Sequence, residues 1–262
     1  MRPTGDFQVD ITEEQIAFFR KNGFLSIERI TTDEEVAWLK EIYNQLFNQR
    51  TGEEQGRYFD LAGPRAHKGR EVLPQVLGPE ATFPELRESV YFQTAHKLAT
   101  KLLGVEEERV SGGGHMILKP AQYGGETPWH QDEAYWNPEV IPHNLSVWLP
   151  LDPATVESGY MQFIPGSHND EVRWHRHIND DPWIHGLVTD DADPSQAVAC
   201  PITVGGVTFH HCRTLDYAGP NATDNPRRAY ILVLSGPPQK RDKPAYRPCQ
   251  IEEREAIANA QG

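Results

Sequence analysis

The chain has 262 residues, 38% of them hydrophobic and 24% charged, and a formal net charge of −13. That size and balance belong to a globular protein that buries a core, while the acidity argues against nucleic acid and anionic membrane surfaces, both of which reward a basic face. Three widely spaced cysteines without a C-x-x-C (Cys200, Cys212, Cys249) support neither a disulfide framework nor a zinc ribbon. With no basic-then-apolar leader and no 18-residue apolar run, a cytoplasmic protein that spans no membrane is expected.

Helices come first. Thr12 followed by Glu13, Glu14 and Gln15 spells a T-x-x-Q capping box, and Thr32 with Glu35 spells a second. Behind the second, Val36, Leu39, Tyr43 and Leu46 recur at steps of three and four, as one apolar helical face does; Tyr91, Ala95, Leu98 and Leu102 repeat the pattern. Residues from about 50 to 88 are rich in Gly, Pro and charge and read as loop. From about residue 112 the pattern changes to short β-branched or aromatic runs bounded by turn residues. These are "HMILK", "NLSVWLPL", "GYMQFI", "GGVTFHH" and "RAYILVLS". The polar, acidic stretch from His168 to Cys200 reads as a lid or binding loop. The charged stretch after Pro237 reads as a surface tail, and "FIPGSH" as a turn that uses Gly166. Helices followed by strands make the class α+β. The expectation is one domain over 1–262, with a helical part at about 10–105 packed on a jelly-roll core at about 110–237.

Within the strand region, His130 and Asp132 are two residues apart. In an extended strand such residues point to the same face, so an imidazole nitrogen and a carboxylate oxygen can reach one ion. Two such ligands with one more histidine from a distant strand make the facial triad of non-haem Fe(II) oxygenases.

Five segments in order, "FFRKNGFLSIERITTDEEVAWLK", "HMILKP", "HQDEAYW", "SVWLPLDPATVESGYMQFIPGSH" and "GPNATDNPRRAYILVL", resemble the phytanoyl-CoA dioxygenase-like branch of the Fe(II)/2-oxoglutarate-dependent oxygenases. The resemblance implies a double-stranded β-helix, a cupin-like jelly roll, with Fe(II), 2-oxoglutarate as co-substrate and O2. By motif, His130 and Asp132 match the first two iron ligands of that family. Arg227 matches the arginine that grips the far carboxylate of 2-oxoglutarate, a task suited to a planar guanidinium that pairs bidentately; Arg228, facing the other way, is the fallback. Lys119 and Gln122 are candidates to touch the co-substrate, with ordinary strand-edge polarity as the blander account. Trp129, Tyr135 and Trp136 are candidates for the substrate pocket, against plain packing of the barrel rim.

Eleven residues before Arg227 the family pattern places the third ligand, a histidine, and here stands Asp216. His210 and His211 lie six and five residues upstream, roughly 16–20 Å along an extended strand, and are expected to fall short of the same ion. His175 and His177, in the lid, are expected to be solvated. A His130/Asp132/Asp216 site is harder and less selective for iron. It also sets a second carboxylate beside a dianionic oxoacid, about 4 kcal/mol for unit charges about 4 Å apart at an effective dielectric near 20; Arg213 is the candidate to offset it. Three functions stay open. The first is a dioxygenase oxidising a C–H bond of a small molecule, a specialised or amino-acid-like metabolite fitting the acidity better than an acyl-CoA. The second is a metal-dependent isomerase or hydrolase with a His/Asp/Asp site. The third is a non-catalytic relative that binds a ligand or an active partner.

Overall fold

Thr12 opens α1 (Glu13–Asn22) with the complete capping box that the sequence spells: its hydroxyl accepts from the Gln15 N–H, and the Gln15 side chain accepts from the Thr12 N–H. The computed structural model describes residues 7–63 and 69–261, together with Pro3. Thr32 caps α2 (Asp33–Asn48), but only half of the second box forms. The Glu35 carboxylate turns instead to the start of α3 (Val90–Leu103), accepting the Val90 and Tyr91 N–H groups at 2.5 and 2.7 Å and the Thr31 hydroxyl. Those donors are the unpaired amides of a helix N-terminus, so a fully buried carboxylate ties α2 to α3.

Fifteen strands are found among the described residues. In chain order they are β1 (Phe24–Ile27), β2 (Tyr58–Asp60), β3 (Pro74–Leu77), β4 (Ser111–Lys119), β5 (Thr127–His130), β6 (Val140–Ile141), β7 (Asn144–Pro150) and β8 (Met161–Phe163). The rest are β9 (Arg176–His177), β10 (Leu187–Val188), β11 (Val198–Cys200), β12 (Val207–His211), β13 (Asp216–Ala218), β14 (Arg227–Ser235) and β15 (Gln239–Lys240). A seven-stranded antiparallel sheet runs β1-β12-β7-β14-β4-β3-β2, and a four-stranded one runs β11-β8-β13-β5.

Strand alternation then sorts the side chains. On β7 and β14, Leu145, Val147, Leu149, Tyr230, Leu232 and Leu234 pack with α2 and α3 in the main core. Trp148, Ala229 and Ile231 of the same strands face the small sheet and pack with Met161, Phe163 and Ala218. The result is the two-sheet jelly roll expected, with helices on the outer face of the large sheet. No helix among the described residues is long and apolar enough to cross a membrane.

Two stretches differ from their sequence reading. Residues 50–88 carry β2 and β3, which extend the large sheet beyond β4; strands of three and four residues are too short to show a period. The Asp60 carboxylate holds the connection by accepting N–H groups of Ala62, Val72 and Leu73. Residues 64–68 of that stretch lie outside the described ones. The supposed tail after Pro237 forms β15, paired with β6, and a helix, α4 (Pro248–Gln261). Polar contacts anchor α4, since the Gln250 amide donates to the Ala134 and Trp136 carbonyls, and such contacts leave no apolar period to read.

Candidate active site

β5 ends at His130 and β13 begins at Asp216, and the two residues are paired directly across the small sheet. Opposite residues on one face of an antiparallel pair hold their Cβ atoms about 5 Å apart, so both side chains reach one spot. Asp132 lies beyond the end of β5, in a 3-10 turn. The intervening Gln131 keeps extended backbone (φ −128°, ψ 127°), so His130 and Asp132 still point the same way. One ligand atom from each of His130, Asp132 and Asp216 lies within 4.8 Å of the others. His130 Nε2 is 3.5 Å from Asp132 Oδ1, and its Nδ1 is 3.8 Å from Asp216 Oδ1. His130 Nδ1 is also 2.9 Å from the Pro128 carbonyl, the bond of an Nδ1–H tautomer that leaves the Nε2 lone pair free.

The electrostatics suit a cation. His130 is 7% exposed and Asp216 3%. Burial lifts the Asp216 carboxyl to about 6, against the pull of His130 and His210. Burial alone would lower His130, but the Asp216 and Asp132 carboxylates draw it up to about 9. The same imidazoles hold Asp132 well below the usual carboxylate range in spite of its burial. Asp216 Oδ2 is buried with no hydrogen-bond partner. Once His130 gives up its extra proton, its imidazole and the two carboxylates, one of them with an unsatisfied oxygen, are a donor set that a divalent cation completes and neutralises.

Arg227, the first residue of β14, is 2% exposed, and its Nε and Nη1 have no partner. It points into a cavity of about 310 Å³ that His130, Asp132 and Asp216 also line. Burial lowers its guanidinium to about 10, with Tyr43 and Asp152 opposing, and its charge lies 5.2 Å from the Trp148 ring centroid. Arg228 occupies the opposite face of the strand, bound to Asp152 at 2.8 Å and to Asn44, so alternation leaves the cavity to Arg227.

Tyr135 and Trp136 line the cavity as well. Trp129 alternates away from His130 and stacks on Tyr217, ring centroids 5.3 Å apart, so it is not part of the wall. Lys119 is fully buried, but its ammonium donates to the Ala218 and Gly219 carbonyls at 2.7 and 2.5 Å, bracing β13 rather than facing the cavity. Gln122 is exposed at a positive φ of 67° and donates to Asp224.

Three histidines depart from expectation, His210, His175 and His177, while His211 faces away as expected. Their positions depend on turns that spacing does not reveal. His210 lines the cavity, with Nε2 3.4 Å from Asp132 Oδ2. The estimate of 16–20 Å assumed one extended strand; in fact β12 and β13 belong to different sheets, and residues 212–215 fold the chain back between them. His211 faces away, beside His168. His175 and His177 are buried, not solvated: His175 Nε2 accepts the Gln131 N–H, and His177 bridges the Ile184 and Cys249 carbonyls. The supposed lid thus packs behind the metal motif and against α4. Arg213 does not offset Asp216 either. It binds Glu133 at 2.5 Å, and that buried carboxylate also takes Arg241 and Arg247. Gln75, His115, Ser146 and His185 also line the cavity; they come from four separate stretches of sequence, which no local motif links.

A jelly roll whose sheets enclose a His/Asp/Asp cluster and an unpaired arginine defines the class of metal-centred cupin-like enzymes. Comparison with known proteins narrows it. The family model described as phytanoyl-CoA dioxygenase matches residues 19–229, and the chain belongs to that family. A probable alpha-ketoglutarate-dependent hypophosphite dioxygenase of Stutzerimonas stutzeri is 28% identical over 224 residues, 84% of this chain and 77% of that one. Among solved structures, EvdO2 from Micromonospora carbonacea var. aurantiaca, complexed with 2-oxoglutarate, is 41% identical, with a TM-score of 0.81 over 93% of this chain and 98% of its own. SnoK, titled a non-heme alpha ketoglutarate dependent carbocyclase from nogalamycin biosynthesis, is 25% identical with a TM-score of 0.70, covering 88% of this chain and 87% of its own.

Proposed function

We infer that the protein is a non-haem Fe(II)- and 2-oxoglutarate-dependent dioxygenase that oxidises a C–H bond of a small molecule, with residues 1–262 acting as one catalytic unit. The observation that carries this reading is Arg227: a buried guanidinium with free N–H groups shares one cavity with a metal-binding cluster. An oxoacid that chelates a metal at one end and offers a carboxylate at the other needs that pairing. A Lewis-acid isomerase or hydrolase would use His130, Asp132 and Asp216 but has no task for Arg227. The likeness to EvdO2, whose structure holds 2-oxoglutarate, supports the oxygenase.

When bound, iron(II) and 2-oxoglutarate supply an O2-dependent oxidation in which the oxoacid is decarboxylated to succinate. The chain's part is to hold and to exclude. His130 Nε2 and the Asp132 and Asp216 carboxylates hold the ion, leaving other positions open. Arg227 fixes the far carboxylate of the co-substrate. Tyr135 and Trp136 form a wall against which the substrate is oriented away from water. Apart from Asp132, Asp216 and Arg227, no Asp, Glu, Lys or Arg among the described residues lines the cavity, so an uncharged region of a specialised metabolite suits it better than the phosphates of an acyl-CoA. A net charge of −13 argues against nucleic acid and anionic membranes as partners. Three buried free thiols fit a reducing compartment, and we place the protein in the cytoplasm.

The reading is tested by incubating the purified protein with Fe(II), 2-oxoglutarate and O2 and measuring succinate. Release that needs iron and falls away in Arg227→Met is the expected result. Absence of succinate under every metal would sink the dioxygenase.

A further inference from the structure

Asp132 has two oxygens with different surroundings. Oδ1 faces His130 Nε2 at 3.5 Å, on the side of the metal cluster. Oδ2 faces away from it, accepting the Ser146 hydroxyl at 2.6 Å and lying 3.4 Å from His210 Nε2. Ser146 and His210 are themselves directly paired across β7 and β12, so one cross-strand pair presents two groups to one oxygen. His210 Nδ1 is buried without a partner. A proton on Nε2 therefore leaves no buried N–H without an acceptor and makes Nε2 the donor.

Could His210 instead be a metal ligand, the imidazole missing at position 216? Ligands of one ion must all lie close to one another, not to a single neighbour alone. His130, Asp132 and Asp216 form a mutually close group, and His210 is not a member of it. Its place is behind Asp132.

We propose that His210 is a positioning residue: with Ser146 it holds Asp132 Oδ2, so that Oδ1 alone is presented to the metal. The inference rests on the dioxygenase reading of the site. It matters more here than in a site with two histidine ligands, because two carboxylates that could each bind through both oxygens compete for the same positions. Fixing Asp132 through one oxygen keeps positions open for co-substrate and O2. Groups that orient a ligand from behind typically change metal affinity 10–100-fold when removed.

Mn(II) titration followed by EPR, on wild type, Ser146→Ala, His210→Phe and His210→Gln, reads this without turnover. Thermal melts of the metal-free variants are run alongside. Glutamine is the informative replacement, because its Nε2 donates a hydrogen bond from about the same place yet is a poor ligand for a divalent metal. The expected result is a roughly 10–100-fold loss of affinity in His210→Phe, a smaller loss in Ser146→Ala, and recovery to within about threefold of wild type in His210→Gln. Pulsed EPR of the vanadyl-loaded wild type, which needs no variant, should count one coordinated imidazole. Two imidazoles, or a His210→Gln as weak as His210→Phe, overturn the proposal, as does a folded His210→Phe that binds like wild type. Wild-type protein that takes up neither metal overturns the dioxygenase reading itself and this inference with it.

Discussion

Arg227→Met should move stability and co-substrate binding in opposite directions. Burial holds the Arg227 guanidinium down to about 10. At about 1.4 kcal/mol per pH unit, keeping it charged in that place costs roughly 3 kcal/mol. The depressed value belongs to a base that remains charged below pH 10 in both folded and unfolded chains, so the cost is present throughout the neutral range. Methionine removes the charge and keeps much of the volume, but gives up the contact with Trp148, about 0.5–2 kcal/mol. The net gain of about 1–2.5 kcal/mol should raise the Tm of the free protein by about 2–10 °C. Affinity for 2-oxoglutarate should fall, because truncating one partner of a buried hydrogen-bonded charge pair costs about 2–5 kcal/mol, or roughly 30–5,000-fold. Calorimetric melts without ligand, and anaerobic titration with 2-oxoglutarate in the presence of Mn(II), read the two effects separately. A variant with lowered Tm and unchanged 2-oxoglutarate affinity would refute the assignment of Arg227 as a carboxylate receptor.

Other consequences follow from the same geometry. Asp216→His removes one negative charge beside the co-substrate and supplies a second imidazole opposite His130, so Fe(II) and 2-oxoglutarate affinities should each rise tenfold or more in the same titrations. Metal uptake must displace the protons held by the free site, with His130 at about 9 and Asp216 at about 6. Between pH 6 and 9 the logarithm of metal affinity should therefore climb with a slope near one, steepening toward two below pH 6, as read by competition with a chelator. Glu133→Gln leaves Arg213, Arg241 and Arg247 without their shared buried carboxylate. Breaking such a network costs about 3–5 kcal/mol, so the melt should drop by 6 °C or more and proteolysis should begin in the segment from Arg241 to α4. Gln122→Ala, which loses only an exposed contact with Asp224, should leave both affinities within twofold.

Much of this was legible in the sequence because it is local. A capping box fits within four residues, and the complete one at Thr12 formed as written. The His130/Asp132 pairing survived even though the strand ends between them, because Gln131 stays extended. Strand alternation set Arg227 and Arg228 on opposite faces, and the family motif picked Arg227, the one found turned inward. What spacing concealed depends on long-range folding. His210 reaches the site because the chain reverses between two sheets, and His177 is buried between the Ile184 carbonyl and that of Cys249 in α4. Charged α4 has too little apolar period to announce a helix. Glu35 shows the same limit within a motif, since its carboxylate serves α3 rather than its own cap.

The most direct test of the account is an anaerobic titration of the wild-type protein with Fe(II) and then 2-oxoglutarate, followed by visible absorption. His130, Asp132 and Asp216 holding the ion, with Arg227 holding the oxoacid against it, predict a weak charge-transfer band that saturates at one equivalent and is lost in Arg227→Met. Iron that binds without any band on addition of 2-oxoglutarate, or a band that is indifferent to Arg227, would contradict the site described.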